Sequence, residues 1–327
     1  RGRVLATWNT VGPVTGSVGP LLAGFLLERF HWSAIFIVPL LVTGVSIVLL
    51  ARLVPEHHSG PIPWARIRRM DWLGLLLLIG FVTLFVSYLS SRPVTGVDPL
   101  RDLRLGLPAA ALLVGFVIRE RRVRDPFVPL SLLRLRAFTG ASLASAARMF
   151  LLAGVNFLMP LYVSDVYGLG SAVTGLVVTT NAFALMVTMR IGGHLVDRAL
   201  SPLPVVFGLL GQAAAMSALA LLPSLASPWP IFLCVGAHGL AAGIALGPMH
   251  KFALSEAAEG EVGMAAGLYS LIRFIGVLIG AAMGGVVLQA GLDAGVPELV
   301  AYRYTFVVYM GVGLGGSLLA CLLLRRG

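Results

Sequence analysis

Charge is scarce in this sequence: 12% of its 327 residues are charged, and only 14 are acidic. An ordinary soluble domain carries about 25%, so a solvated globular surface is excluded. Cysteine occurs twice, at Cys234 and Cys321, each inside an apolar run. That excludes a disulfide framework and leaves two small interior hydrophobes. There is no glycine-rich phosphate loop and no nucleophile–base constellation, so an enzyme is not expected. His57 and His58 adjoin Glu56, but no second ligand cluster at metal-site spacing accompanies them, and neither a metal nor a cofactor is expected. The net charge of +10 brings no interleaved aromatic residues with it, which argues against a nucleic-acid partner.

What the chain has instead is apolar length. Ala199 to His250 contains no Asp, Glu, Lys or Arg at all. A bilayer core needs roughly 20 apolar residues per spanning helix, and backbone groups in it must pair within their own segment. The pattern predicts an all-α polytopic membrane protein with ten spans: Val4–Leu27, Trp32–Ala51, Trp72–Leu89, Leu103–Ile118, Ala137–Val163, Ser171–Val196, Pro204–Leu222, Pro230–Met249, Gly263–Ala290 and Tyr304–Leu324. The fourth is short, with Arg104 snorkelling at its end.

Basic residues fall unevenly between these spans. With Arg1 placed in the cytoplasm, 16 of the 24 lie in cytoplasmic segments, 5 in outer loops and 3 within helices. Positive charge resists translocation, so the bias predicts both termini of the chain in the cytoplasm. Two long inner connections, Arg52–Asp71 and Arg119–Arg136, divide the chain into residues 1–54, 55–136 and 137–327. The chain opens on Arg1 rather than Met, and further helices are expected upstream.

The first span carries Gly16, Gly19, Pro20, Ala23 and Gly24 on one helical face. A face without side chains admits a neighbouring backbone, and Pro20 invites a bend; the same pattern also serves static packing. Gly19→Leu is expected to clash with a neighbouring helix. A second stripe, Gly239, Gly243 and Gly247 before Pro248, lies in the eighth span.

The run Gly12-Pro13-Val14-Thr15-Gly16-Ser17-Val18-Gly19-Pro20-Leu21-Leu22-Ala23-Gly24 resembles the antiporter signature of the major facilitator superfamily. His31-Trp32-Ser33-Ala34-Ile35-Phe36 and Asp71-Trp72-Leu73-Gly74 are similar to the starts of helices six and seven in its fourteen-helix drug:proton antiporter branch. Gly193-His194-Leu195-Val196-Asp197-Arg198 resembles the family's loop motif, although the Gly-Arg-Arg tail expected after it is replaced by Ala199-Leu200-Ser201-Pro202. The resemblance implies a major-facilitator helical bundle whose helices five to fourteen are present. It implies proton-coupled export of small amphipathic compounds across a bacterial cytoplasmic membrane by alternating access. The implied partners are the substrate, protons and the bilayer, with the chain acting as a monomer. Gly16, Gly19, Pro20, Gly24, Asp197 and Arg198 become gating candidates. A facilitator for a sugar, siderophore or metabolite, or a non-transporting sensor, remains the alternative.

Charged and polar residues at mid-span are functional candidates because their burial in a bilayer is costly. Arg148 and Arg273 lie near mid-depth, as do Asn156 and Asn181. Arg273 shares a face with Gly276, Gly280 and Gly284 and reads either as a substrate or gating contact or as an internal pair with helix-end carbonyls or with a carboxylate on a missing helix. The two asparagines either line a cavity or bond between helices. No carboxylate lies at mid-span, so a proton-coupling acid is expected in the upstream helices, with the arginines as counter-charge or substrate contact.

Overall fold

The computed structural model describes residues 2–53, 71–123, 128, 130–198, 201–223, 227–255 and 262–324. Ten long helices account for nearly all of them: α1 Gly2–Arg29, α2 Ile37–Leu53, α3 Trp72–Leu89, α4 Leu103–Arg122, α5 Arg136–Tyr167, α6 Ser171–Arg198, α7 Leu203–Leu221, α8 Trp229–Leu254, α9 Val262–Asp293 and α10 Glu298–Leu323. No strand occurs among the described residues.

Eight helices among those residues are long and apolar enough to cross a membrane; of the ten expected spans α4 falls short, while most side chains in the first half of α1 lie outside the described residues. In α4 the run between Arg104 and Arg119 holds 14 residues, roughly 21 Å at 1.5 Å per residue, short of a core about 30 Å thick.

Helices α5 to α10 share one core, in which Tyr162, Tyr302, Phe306, Leu209, Met216 and Met249 are fully or almost fully buried. Apolar burial between helices gains little when lipid is the solvent, so small residues and interhelical hydrogen bonds hold such a bundle. Both devices occur here. Gly239 and Gly243 of α8 press on α6 so closely that an added Cβ would overlap the carbonyls of Asn181 and Leu185. Thr188 of α6 donates to the Leu240 carbonyl of α8 at 2.7 Å. On the other flank, a Cβ at Gly276 would overlap the Ala146 carbonyl of α5, and one at Gly280 would stand 2.6 Å from that of Phe150. Tyr309 of α10 closes this side, donating to the Gly280 carbonyl at 2.6 Å.

The remaining described helices attach from outside. α3 and α4 pair with each other. Asp71 caps α3, accepting from the Gly74 N–H at 3.1 Å, and takes an ion pair from Arg119 of α4 at 3.1 Å. The Arg119 hydrogen bond holds the Asp71 carboxyl below the ordinary carboxylate range, against the opposing pull of its own burial. A carboxylate lowered in the folded state stabilises the pairing above its unfolded pKa and loses that contribution as pH falls through the folded value. α2 has no buried residue. α1 packs along α6, which sets up the candidate site.

Candidate functional site

The contact between α1 and α6 is made by glycine. A Cβ on Gly24 would stand 2.6 Å from the Ser171 carbonyl, and one on Gly175 would stand 2.5 Å from that of Pro20. The Gly24 and Gly175 backbones therefore touch directly, and Ser171 Oγ donates to the Gly24 carbonyl at 3.2 Å. The bare face expected on the first span thus meets a neighbour at its Gly24 level. Gly16 and Gly19 do not: nothing among the described residues lies within 4 Å of a Cβ at either position. The clash expected for Gly19→Leu therefore meets no neighbour among the described residues and stays an expectation for the full-length protein. Helical spacing assigned the right face, and Gly24 is where that face meets the α6 backbone.

Beside this contact a groove of about 620 Å³ opens between α1, α5 and α6. Gly16, Pro20 and Gly24 line one wall, and Asn156 and Asn181 face it from α5 and α6. This volume is within the roughly 300–1,000 Å³ of small-molecule sites, and its apolar walls with a few polar groups match their chemistry. Asn156 is exposed to the groove. Asn181 is 1% exposed; its amide nitrogen donates to the Val235 carbonyl at 3.0 Å and faces His238 Nδ1 at 2.8 Å. Both alternatives weighed for Asn181 therefore hold at once, since it borders the groove and bonds α6 to α8.

Behind this wall lies a polar interior that spacing did not assemble. Because the Asn181 nitrogen is a donor, His238 Nδ1 accepts and the ring proton sits on Nε2. That Nε2 is buried without a hydrogen-bond partner. Arg148 does not line the groove; it is 2% exposed inside the bundle. Its Nη2 contacts Met149 Sδ at 3.5 Å, and Nε and Nη1 have no hydrogen-bond partner among the described residues. Among the described residues Arg273 meets neither a carbonyl nor a carboxylate. Its Nη1 donates to His250 Nε2 at 3.3 Å, and its guanidinium lies 4.9 Å above the Phe274 ring. His250 Nδ1 faces the Leu246 carbonyl at 2.9 Å, so Nδ1 carries the proton and Nε2 is free to accept. The interior is thus rich in donors and cations, with no acidic side chain bonded to either arginine among the described residues.

Asp197 and Arg198 end α6, but their side chains lie outside the described residues. So does the 54–70 segment with Glu56, His57 and His58. The other acids examined by spacing have structural partners. Asp71 is held as above, and Asp165 accepts from Tyr302 Oη at 2.5 Å.

Long apolar helices joined by small-residue seams around a groove define a polytopic α-helical membrane protein. Its sequence matches one family over residues 1–281 and 137–327, and the chain belongs to the Major Facilitator Superfamily. It is 28% identical to Multidrug resistance protein Stp of Mycobacterium tuberculosis over 90% of this chain and 54% of that one. It is 24% identical to the Tetracenomycin C resistance and export protein of Streptomyces glaucescens, over 90% of this chain and 54% of that protein. Against Riboflavin transporter RibZ of Clostridioides difficile the identity is 24%, over 86% and 60%. The chain thus spans little more than half the length of these curated relatives.

Proposed function

We propose that the full-length protein exports small amphipathic compounds in exchange for protons, by rocking of two helical bundles about a midplane site. The observation that carries this reading is the glycine contact of α1 on α6 beside an apolar groove bordered by Asn156 and Asn181. Backbones in direct contact slide or part without side chains interlocking, and a groove of that polarity suits partly apolar cargo. Residues 1–54 are assigned to the N-terminal bundle, 55–136 to a linker pair and 137–327 to the C-terminal bundle, as in a fourteen-helix carrier. The names of the resistance and export relatives support the direction of transport. A riboflavin-transporting relative gives the second reading, a carrier for one metabolite.

Coupling to protons needs a group that binds and releases one across the membrane. Asp71 and Asp165 are engaged as cap and hydrogen-bond acceptor, and arginine stays protonated, so the coupling acid is assigned to helices upstream of this chain. Asp71→Asn, Asp165→Asn and Asp197→Asn are each expected to retain substrate-driven proton movement in vesicles of the full-length protein, while neutralising one upstream acid abolishes it. Loss of coupling in one of the three, with every upstream acid dispensable, would place the coupling group here.

Both ends of this chain are assigned to the cytoplasm from the arginine distribution. Cysteines placed singly at Arg122 and Ser227, in a protein lacking Cys234 and Cys321, should label from opposite sides of the membrane. Labelling from one side would overturn the assignment.

A further inference from the structure

A second and larger cavity, about 1000 Å³, lies away from the α1–α6 groove, between the end of α3 and the flank of α9. Its walls change character along their length. Val277, Leu278, Ala281, Ala282 and Val286 of α9, with Phe157 of α5, make the deep part apolar. Its rim is charged: Arg92 donates to Asp293 at 2.5 Å and to Asp98 at 3.0 Å, and Arg101 stands 3.7 Å from Asp98 with its side chain 80% exposed.

We propose that this cavity holds one glycerophospholipid of the surrounding bilayer, its phosphate on Arg101 and one acyl chain along α9. Three observations carry the assignment. First, Val277 and Asp293 are 16 residues apart on one helix, so the cavity runs roughly 24 Å along the membrane normal. One leaflet, headgroup included, is roughly 20–22 Å thick, so a lipid anchored at the rim ends its tail beside Val277. Second, the deep walls are apolar and belong to helices long and apolar enough to span a membrane; water gains no hydrogen bonds there, whereas an acyl chain fits. Third, the polar groups sit only at the headgroup level, and the most exposed of them, Arg101, is suited to a phosphate. The site ties the linker pair to the bundle and does not depend on which compound is transported.

Native mass spectrometry of the full-length protein tests this, after extraction from nanodiscs of phosphatidylethanolamine and phosphatidylglycerol doped with diacylglycerol. The wild type should retain one phospholipid. Ala282→Trp, which fills the cavity, should lose it, while Phe207→Trp, on the exposed flank of α7, should not. Arg101→Glu should weaken retention of phospholipid about tenfold without weakening that of diacylglycerol. Equal retention by Ala282→Trp and Phe207→Trp would overturn the proposal. So would a wild type that keeps no phospholipid, or one that keeps diacylglycerol equally well.

Discussion

Gly24→Leu is expected to abolish efflux by the full-length protein while leaving its membrane insertion normal. A Cβ at this position already stands 2.6 Å from the Ser171 carbonyl and 3.3 Å from the Gly175 Cα. Those are backbone atoms that cannot step aside, so a leucine must push α1 off α6. Insertion is unaffected because leucine favours the bilayer. The loss should exceed tenfold in initial efflux rate, the equivalent of about 1.4 kcal/mol in the barrier, since overpacking at a rigid contact costs about 1–3 kcal/mol. Gly175→Leu should behave the same way from the other side of the seam. Equal efflux by well-expressed Gly24→Leu and wild-type proteins would remove the α1–α6 contact from the mechanism.

Arg148→Met should abolish transport. Two of the three guanidinium nitrogens of Arg148 are buried without a hydrogen-bond partner among the described residues, and an uncompensated interior charge costs several kcal/mol. Methionine fills similar volume without that cost. Breaking a buried ion pair costs about 3–5 kcal/mol, whereas removing an unpaired buried charge stabilises, so the thermal midpoint of the full-length protein should fall where Arg148 faces an upstream acid and hold or rise where it faces only the substrate. Transport is expected to fail, because an interior cation retained at such cost serves as counter-charge to the coupling acid or to the substrate. Arg148→Lys keeps the charge and should restore part of the rate. A variant that both transports normally and melts higher would make Arg148 an unused burden on the bundle.

Much of the fold was legible because bilayer chemistry writes it plainly. Charges clustered between apolar runs placed the helices, and the structure shifts their ends by a few residues where arginine-rich turns continue as helix, as in Arg119–Arg122. α4 was the weak case from the start, its apolar run being too short for a full crossing. The candidate site was legible only by face. A 3.6-residue period puts Gly16, Gly19 and Gly24 on one side of a helix, but the level at which α6 meets that side depends on a crossing angle no single segment encodes. Depth was readable for Arg148 and partners were not. Asn181 and His238 are separated by 57 positions, and Arg273 and His250 lie on different helices, so their pairing exists only once α6, α8 and α9 have packed. A polar residue in every interior helix was the signal that such a network forms.

The central claim is that these helices belong to a proton-driven exporter, and coupled flux measures it directly. Full-length protein in sealed vesicles, loaded with an amphipathic dye and given an imposed pH gradient, should move dye against its own gradient and move protons in the opposite direction. Adding dye without a gradient should drive proton flux, and Gly24→Leu should stop both. Dye movement that runs only downhill and leaves vesicle pH unchanged would contradict the account and make the protein a facilitator.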